Sequence, residues 1–316
     1  MIWANLLAAS TLIKNGPYLL GSLLVFALFC GAFYGLSRAL GVKHQMIREP
    51  ISLRNKIIFG ILSVASIITA YSVLSYRQHQ HNPNDKSIPN LTQLVEGWKD
   101  MTGQNYDPNS LLNKEYWLLD DSKASAKRFL YSISLGVFLS VVVGMAMGVS
   151  PSIAAFLTPS ISWLSKIPPT AMLAIYFVLF GYEMKMYLAM ISIGIAPALI
   201  MAISASARKD VKDSAIHKAY TFGASHSEVI WGVVFKQILP RILMGIRNSL
   251  PAAMIFLIAA EYAVGDSGFG YRLRMQSRLL NFNVVYLYLA ILGTAGVTMD
   301  YSLVWLRRKL CPWFGD

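Results

Sequence analysis

The feature that most limits this chain is a series of apolar runs, each about 20 residues long, recurring through its 316 residues. Wound as a helix, a run of that length matches the ~30 Å hydrocarbon layer of a bilayer. Only helices and closed barrels satisfy every backbone polar group at that depth. Seven runs are read: 17–40, 57–75, 129–148, a proline-broken run over 151–182, 184–206, 244–262 and 284–306. The prediction is an all-α integral membrane protein with about seven transmembrane helices. A composition of 55% hydrophobic and 14% charged residues excludes an ordinary soluble domain of this size. Residues 1–16 hold an apolar patch too short to span, and no removable signal peptide is read before the first run.

Charge then orients the spans. The formal +12 would suggest nucleic acid in a soluble protein. In a membrane protein the simpler account is basic residues collected in loops on the cytoplasmic side. The linker 41–56 carries Lys43, Arg48, Arg54 and Lys56 against Glu49, and Arg307-Arg308-Lys309 closes the last run. The stretch 76–125 holds five Lys/Arg against seven Asp/Glu, which suits the outside. This gives an N-terminus outside and a C-terminus inside. One loop departs from the rule: 266–283 is expected outside, yet it carries Arg272, Arg274 and Arg278 against one aspartate. Trp98 and Trp117 read as interface anchors.

The polar insert 213–240, DSAIHKAYTFGASHSEVIWGVVFKQILP, is longer than a turn between two spans needs. Gly223 can end a helix by taking positive φ. Ser225, with Glu228 three positions on, makes a capping box for a second helix. Two short helices joined by a bend would form a compact knob suited to a partner's groove. In the broken run, Pro168-Pro169 remove backbone donors and predict a kink beside Lys166. Lys166 could meet an anionic solute or snorkel to the surface. Glu261, near the end of the sixth run, is either a helix-end carboxylate at the interface or a group facing a pathway.

Other chemistries find little support. GDSGFG at 265–270 lacks a following Gly-Lys-Ser/Thr and a preceding strand, so it reads as a surface loop rather than a phosphate loop. The five histidines lie outside metal-ligand spacing, and Cys30 and Cys311 suggest neither a disulfide framework nor a metal site. No cluster of catalytic groups is visible, so the chain is not read as an enzyme.

Ala219, Gly223-Ala224-Ser225 and Ile238-Leu239-Pro240 resemble the E-A-A-x-x-x-G coupling loop of permease subunits of ATP-binding-cassette importers. Further stretches fit the branch that imports nitrate, sulfonates, taurine and bicarbonate. They are Ile88-Pro89-Asn90, Ser125-x-x-Arg128, Ile167-Pro168-Pro169-Thr170-Ala171 with Phe180-Gly181, and Ala260-Glu261 with Gly268-Phe269-Gly270-Tyr271. The resemblance covers about residues 88–306. It implies two extra spans in 1–76, an external hydrophilic segment 77–125, and a permease core 126–316 whose last five spans match the importer fold. The coupling loop would lie at about 207–243.

The resemblance further implies a multi-pass protein of the bacterial inner membrane, in contact with lipid and not with nucleic acid. Implied partners are ATPase subunits, a second permease copy or related chain, and an extracytoplasmic substrate-binding protein. ATP and magnesium would be bound by the ATPase, with no cofactor in this chain. ATPase-coupling positions carried over are His217, Lys218, Ala219, Gly223, Ala224, Ser225 and Glu228; pathway candidates are Lys166, Pro168, Pro169 and Glu261. His217-Lys218 stand where the family usually has Glu-Ala, which reverses the charge of the docking helix. The implied function is the permease of an ATP-driven importer for a small anionic solute. The alternative is a secondary transporter or another polytopic membrane protein without an ATPase partner, although no inverted repeat or buried relay is evident.

Overall fold

The computed structural model describes residues 52–103 except Asn84, 117–314 except Tyr182, and, before these, Gly31, 33–35 and Arg38. Ten helices are labelled in chain order: α1 (Leu53–His81), α2 (Leu91–Met101), α3 (Trp117–Val149), α4 (Pro151–Leu164), α5 (Leu173–Phe180), α6 (Met184–Lys209), α7 (Asp213–Thr221), α8 (His226–Val264), α9 (Phe269–Arg278) and α10 (Phe282–Leu310). The described residues contain no strand. Five of these helices are long and apolar enough to cross a membrane: α1, α3, α6, α8 and α10. The bent pair α4–α5 makes six if it is one span. The predicted first span, 17–40, lies largely outside the described residues.

The chain divides into two compact units, Met1–Leu74 and Ser75–Asp316. In the first, the apolar side chains of α1, among them Ile57, Ile61, Ile67 and Ile68, are exposed, and Phe33 and Phe59 make a ring contact at 5.2 Å. The second unit opens with a short hydrogen-bonded turn that leads into α2. Ser75 Oγ donates to the carbonyls of Ile88 and Pro89, and Asn90 with Gln93 forms a capping box at the start of α2.

The core of the second unit is built on α6, which packs between α3 and α8. Met186, Met190, Ile191, Ile195, Leu199 and Ile203 are buried along it. Its contact with α3 is close because Ser132, Gly136, Ser140, Gly144 and Gly148 recur every four residues on one face of α3. A Cβ added at Gly136 would stand 2.9 Å from Ile195, and one at Gly144 2.8 Å from Ile203. Apolar burial drives little association inside lipid, so such small-residue faces hold helices by van der Waals contact. Ser192 Oγ adds a bond to the carbonyl of Ser132 at 2.9 Å.

Two boundaries differ from the hydropathy reading. The helix α3 begins at Trp117, well before the apolar run at 129, because its polar first turns are held by long-range bonds that hydropathy cannot register. The second helix of the 213–240 insert is not short. It continues through a π-helical segment, Val229–Val234, into the span itself. Pro240 does not end it, because Ile238, Ile242 and Leu243 are buried around the interruption and hold the helix in place. The whole of α8 is therefore 39 residues, or about 58 Å, roughly twice the hydrocarbon thickness. The broken run does break where its prolines stand: α4 and the segment Pro169–Phe180, which ends in α5, meet at 78°.

Gly144→Leu is expected to force α3 from α6 and to destabilise the purified protein by about 1–3 kcal/mol or more. Gly60→Leu, where an added Cβ meets nothing within 4 Å, serves as the control. Thermal unfolding in detergent measures both, and equal effects would contradict the close contact.

Candidate functional site

Two regions at opposite ends of the second unit gather the functional candidates. At one end, here the near end, α6 runs out and α7 leads into α8. Phe222 is the C-cap residue of α7 and Gly223, at φ +82°, follows it. The Gly223 N–H donates to the Tyr220 carbonyl at 3.0 Å, and the Ala224 N–H to the Ala219 carbonyl at 3.1 Å. That pair of bonds is the Schellman termination, which needs a left-handed residue where Gly223 stands. Two residues on, Ser225 and Glu228 close the capping box: the Ser225 N–H donates to Glu228 Oε2 at 2.7 Å, and the Glu228 N–H to Ser225 Oγ at 3.4 Å. Tyr220 Oη and His226 Nδ1 lie 2.8 Å apart across the bend.

The tip is thus fixed by backbone and side-chain bonds on both sides of the turn. It is anchored from below by Ile216 and Ile230, which pack on the buried cluster that includes Val211 and Val234. His217, Lys218, Ser225 and Glu228 are exposed, while Ala219 and Ala224 are half-buried. Phe222 is 88% exposed at the apex. A rigid tip that presents an aromatic ring and a cation is a surface suited to a partner.

At the far end, where α8 meets α9, lies a buried charge network. Glu261 is fully buried. It accepts from Ser125 Oγ at 2.8 Å, Arg128 Nη1 at 2.9 Å and the Gly270 N–H at 3.0 Å. Asp121, one turn before Ser125 on α3, accepts from the Gly268 N–H at 3.0 Å, Arg272 Nε at 2.8 Å and Tyr288 Oη at 2.8 Å. The Phe269 N–H donates to Ser125 Oγ at 2.9 Å. Three successive amides at the start of α9 therefore meet two carboxylates and a hydroxyl, where the helix dipole also favours negative charge. Gly268, at φ +102°, and Gly270 are required by closeness: a Cβ on either would overlap Glu261. The last three amides of the GDSGFG stretch are thus occupied by the protein's own carboxylates and a hydroxyl.

The guanidiniums complete the network. Arg128 also donates to the Ser267 carbonyl at 2.6 Å and lies 4.4 Å from the Tyr187 ring centroid, which ties in α6. Arg272 covers Trp117 at 4.6 Å. Trp117 is consequently buried, not the interface anchor expected of it, with the Arg272 guanidinium over its ring. Arg274 donates to the carbonyls of Tyr262, Ala263 and Gly265, satisfying the end of α8. Two of the three arginines that broke the charge rule are thus engaged within the fold. Asp266, at the rim, is pushed up by burial, but bonds from Ser267 and Arg128 outweigh this and hold its carboxyl below the usual range. Its contribution to stability is present at neutral pH and is lost as pH falls through that lowered value.

Residues 136–311 match the family described as the binding-protein-dependent transport system inner membrane component. The chain belongs to this family. It is similar to the taurine transport system permease protein TauC of Escherichia coli (strain K12), with 29% identity over 72% of this chain and 81% of the relative. The putative aliphatic sulfonates transport permease protein SsuC of Bacillus subtilis (strain 168) is 28% identical over 57% of this chain and 64% of the relative. The bicarbonate transport system permease protein CmpB of Synechococcus elongatus is 25% identical over 58% and 66%. Among solved structures, the inward-facing MetNI methionine ABC transporter shares the fold with TM-score 0.56 at 15% identity, covering 61% of this chain and 96% of that one. The protein is therefore an all-helical transport permease of the importer fold.

Within this family member, the seven coupling candidates fall together in the α7–α8 tip. Lys166, Pro168 and Pro169 line a cavity of about 400 Å³ at the α4–α5 break, with Tyr176, Gly194 and Phe256 across from them. Glu261 is not with them but in the far-end network. Asp121, Arg272 and Tyr288 were missed by sequence reasoning, since nothing local distinguishes them; the one signal was the excess of arginines after Asp266.

Removing one partner from a buried ion pair strands the other, at a cost of about 3–5 kcal/mol. Arg128→Met is expected to destabilise the protein on that scale, and Arg128→Met with Glu261→Gln to recover part of the loss. Denaturation midpoints of the single and double variants measure this; strict additivity would mean that the two groups are not coupled.

Proposed function

We propose that this permease is the membrane subunit of an ATP-driven importer of a small anionic solute, of the class of sulfonates, nitrate or bicarbonate. Two permease chains enclose the path, identical copies or this chain and a related one. Separate ATPase subunits, which bind ATP and magnesium, engage the α7–α8 tip from the cytoplasm. An extracytoplasmic binding protein delivers solute at the far end. The C-terminus is then cytoplasmic and the N-terminus outside. The names of the sulfonate, taurine and bicarbonate relatives support the solute class. One observation carries the coupling role: the bonded, exposed tip leads directly into a single 39-residue helix. A push on the tip is thereby delivered to the membrane core by a single element. Lys166 and the Pro168-Pro169 break, open to a cavity, are candidate path residues.

Reconstitution with the ATPase and binding protein in vesicles tests the reading. Uptake of labelled taurine, methanesulfonate or bicarbonate is expected only with ATP on the tip side. Uptake driven by an ion gradient with the permease alone would establish a secondary transporter instead.

Gly223→Pro cannot adopt the left-handed bend and is expected to leave membrane insertion intact while abolishing solute-stimulated ATP hydrolysis. Phosphate release by the assembled complex measures this, and unchanged hydrolysis would exclude the tip as the contact.

Lys218, exposed on α7 in place of the family's usual acidic neighbourhood, calls for a neutral or acidic rim on the ATPase. Lys218→Glu is expected to weaken assembly, with a pair worth about 1–3 kcal/mol if partly desolvated and about 0–1 if solvated. The loss should shrink with added salt. Co-purification at low and high salt measures it, and normal assembly at both would remove Lys218 from the contact.

A further inference from the structure

Arg247 on α8 and Asp300 on α10 form an ion pair inside two of the membrane-length helices. Arg247 Nε and Nη2 both meet the Asp300 carboxylate, the second at 2.6 Å. Two landmarks place the pair in depth. Arg241, bonded to Asp210 at the end of α6, lies six residues nearer the tip than Arg247. The basic run beginning at Arg307 lies seven residues beyond Asp300. At ~1.5 Å per residue both give about 10 Å inward from the near-end charges, within a ~30 Å hydrocarbon layer.

Both side chains are about 40% exposed at that depth (42% and 38%). Charged groups within spans are costly against lipid and normally face water or other protein. Arg247, Asn248, Pro251 and Ile255 are all exposed and recur at helical spacing along one face of α8. The opposite faces carry the buried Leu250, Ala253 and Leu257. Pro251 lacks an N–H, so the carbonyl of Arg247 has no helical donor and adds a further acceptor there.

The geometry of the pair is specific. Asp300 occupies the Nε–Nη2 edge of the guanidinium, leaving Nη1 without a partner among the described residues. The Nη1–Nη2 edge is a planar two-donor fork, which matches the oxygens of a sulfonate, nitrate, bicarbonate or carboxylate. We propose that Arg247 recognises the anionic group of the solute on its passage along α8, and that Asp300 is a positioning residue that turns the free edge of the guanidinium toward the route. This rests on the importer reading above and names the residue that would read the solute's charge.

The test uses Asn248→Cys in the assembled complex, with the parent chain as background for Cys30 and Cys311. Two thiol reagents of similar size are compared, an anionic sulfonatoethyl and a cationic trimethylammonioethyl methanethiosulfonate. Both are expected to modify the introduced thiol, because a solute route along this face must be open to water. Adding Arg247→Gln should lower the anionic-to-cationic rate ratio at least about fivefold, as expected for one charge at short range. Arg247→Lys should largely preserve the ratio, and Asp300→Asn should raise it. Millimolar methanesulfonate should slow the anionic reagent when Arg247 is present and not in Arg247→Gln. Absence of modification by either reagent would mean that the face is dry or in lipid, and would overturn the proposal. So would a rate ratio indifferent to Arg247→Gln, or equal effects of Arg247→Gln and Asp300→Asn, which would mark the pair as a structural latch. Labelling needs no ATP, so failure of ATP-driven uptake would refute the importer reading separately.

Discussion

A carboxylate without solvent is the constraint on which the far end of this permease depends. Glu261 is buried to 0% exposure, and its charge is tolerable because a hydroxyl, a guanidinium and a backbone amide all converge on it. The desolvation penalty of such a group amounts to several kcal/mol and is offset only when its partners are complete. Those partners come from α3 and from α9, and Asp121 repeats the arrangement with α9 and α10. No one of these helices can move relative to the others without leaving a charge or an amide unpaired. The network therefore makes the far end a rigid block, reached by α6 through Tyr187 under Arg128.

The near end is constrained differently. There the bonds are local, a Schellman turn followed by a capping box, and they hold the tip without long-range partners. One helix joins the two ends. Along α8 the tip, Pro240, Arg247, Pro251 and Glu261 follow in order, so two proline-weakened positions separate the tip from the rigid block. Each proline removes a backbone bond and lowers the resistance to bending at that point. Arg247 lies between these two positions, on the exposed face of α8.

Much of this was legible beforehand, and the line between legible and hidden follows sequence distance. The proline break, the Gly223 bend and the Ser225–Glu228 box are set by residues within five positions of one another, and all appear where read. The six described apolar runs became helices. What remained hidden were bonds between residues more than 130 positions apart: Ser125 and Arg128 to Glu261, Asp121 to Arg272 and Tyr288. The arginines after Asp266 looked anomalous because a charge rule counts residues without knowing which are already paired. The start of α3 was placed late for a similar reason, since hydropathy does not register a polar turn held by a distant helix.

By itself, the amino-acid sequence determined that the chain is a helical membrane protein, where its helices break, and that residues 213–240 carry a bend suited to a partner. Those properties follow from hydrophobic length, from the missing N–H of proline and from the left-handed freedom of glycine, all of which act locally. Only the tertiary structure decided that Glu261 is buried among donors, that the second tip helix is the span itself, and that Arg247 meets Asp300. Each of those depends on which groups are brought within about 3 Å by packing of α3, α6, α8 and α10, and a carboxylate's role is set by the donors that surround it.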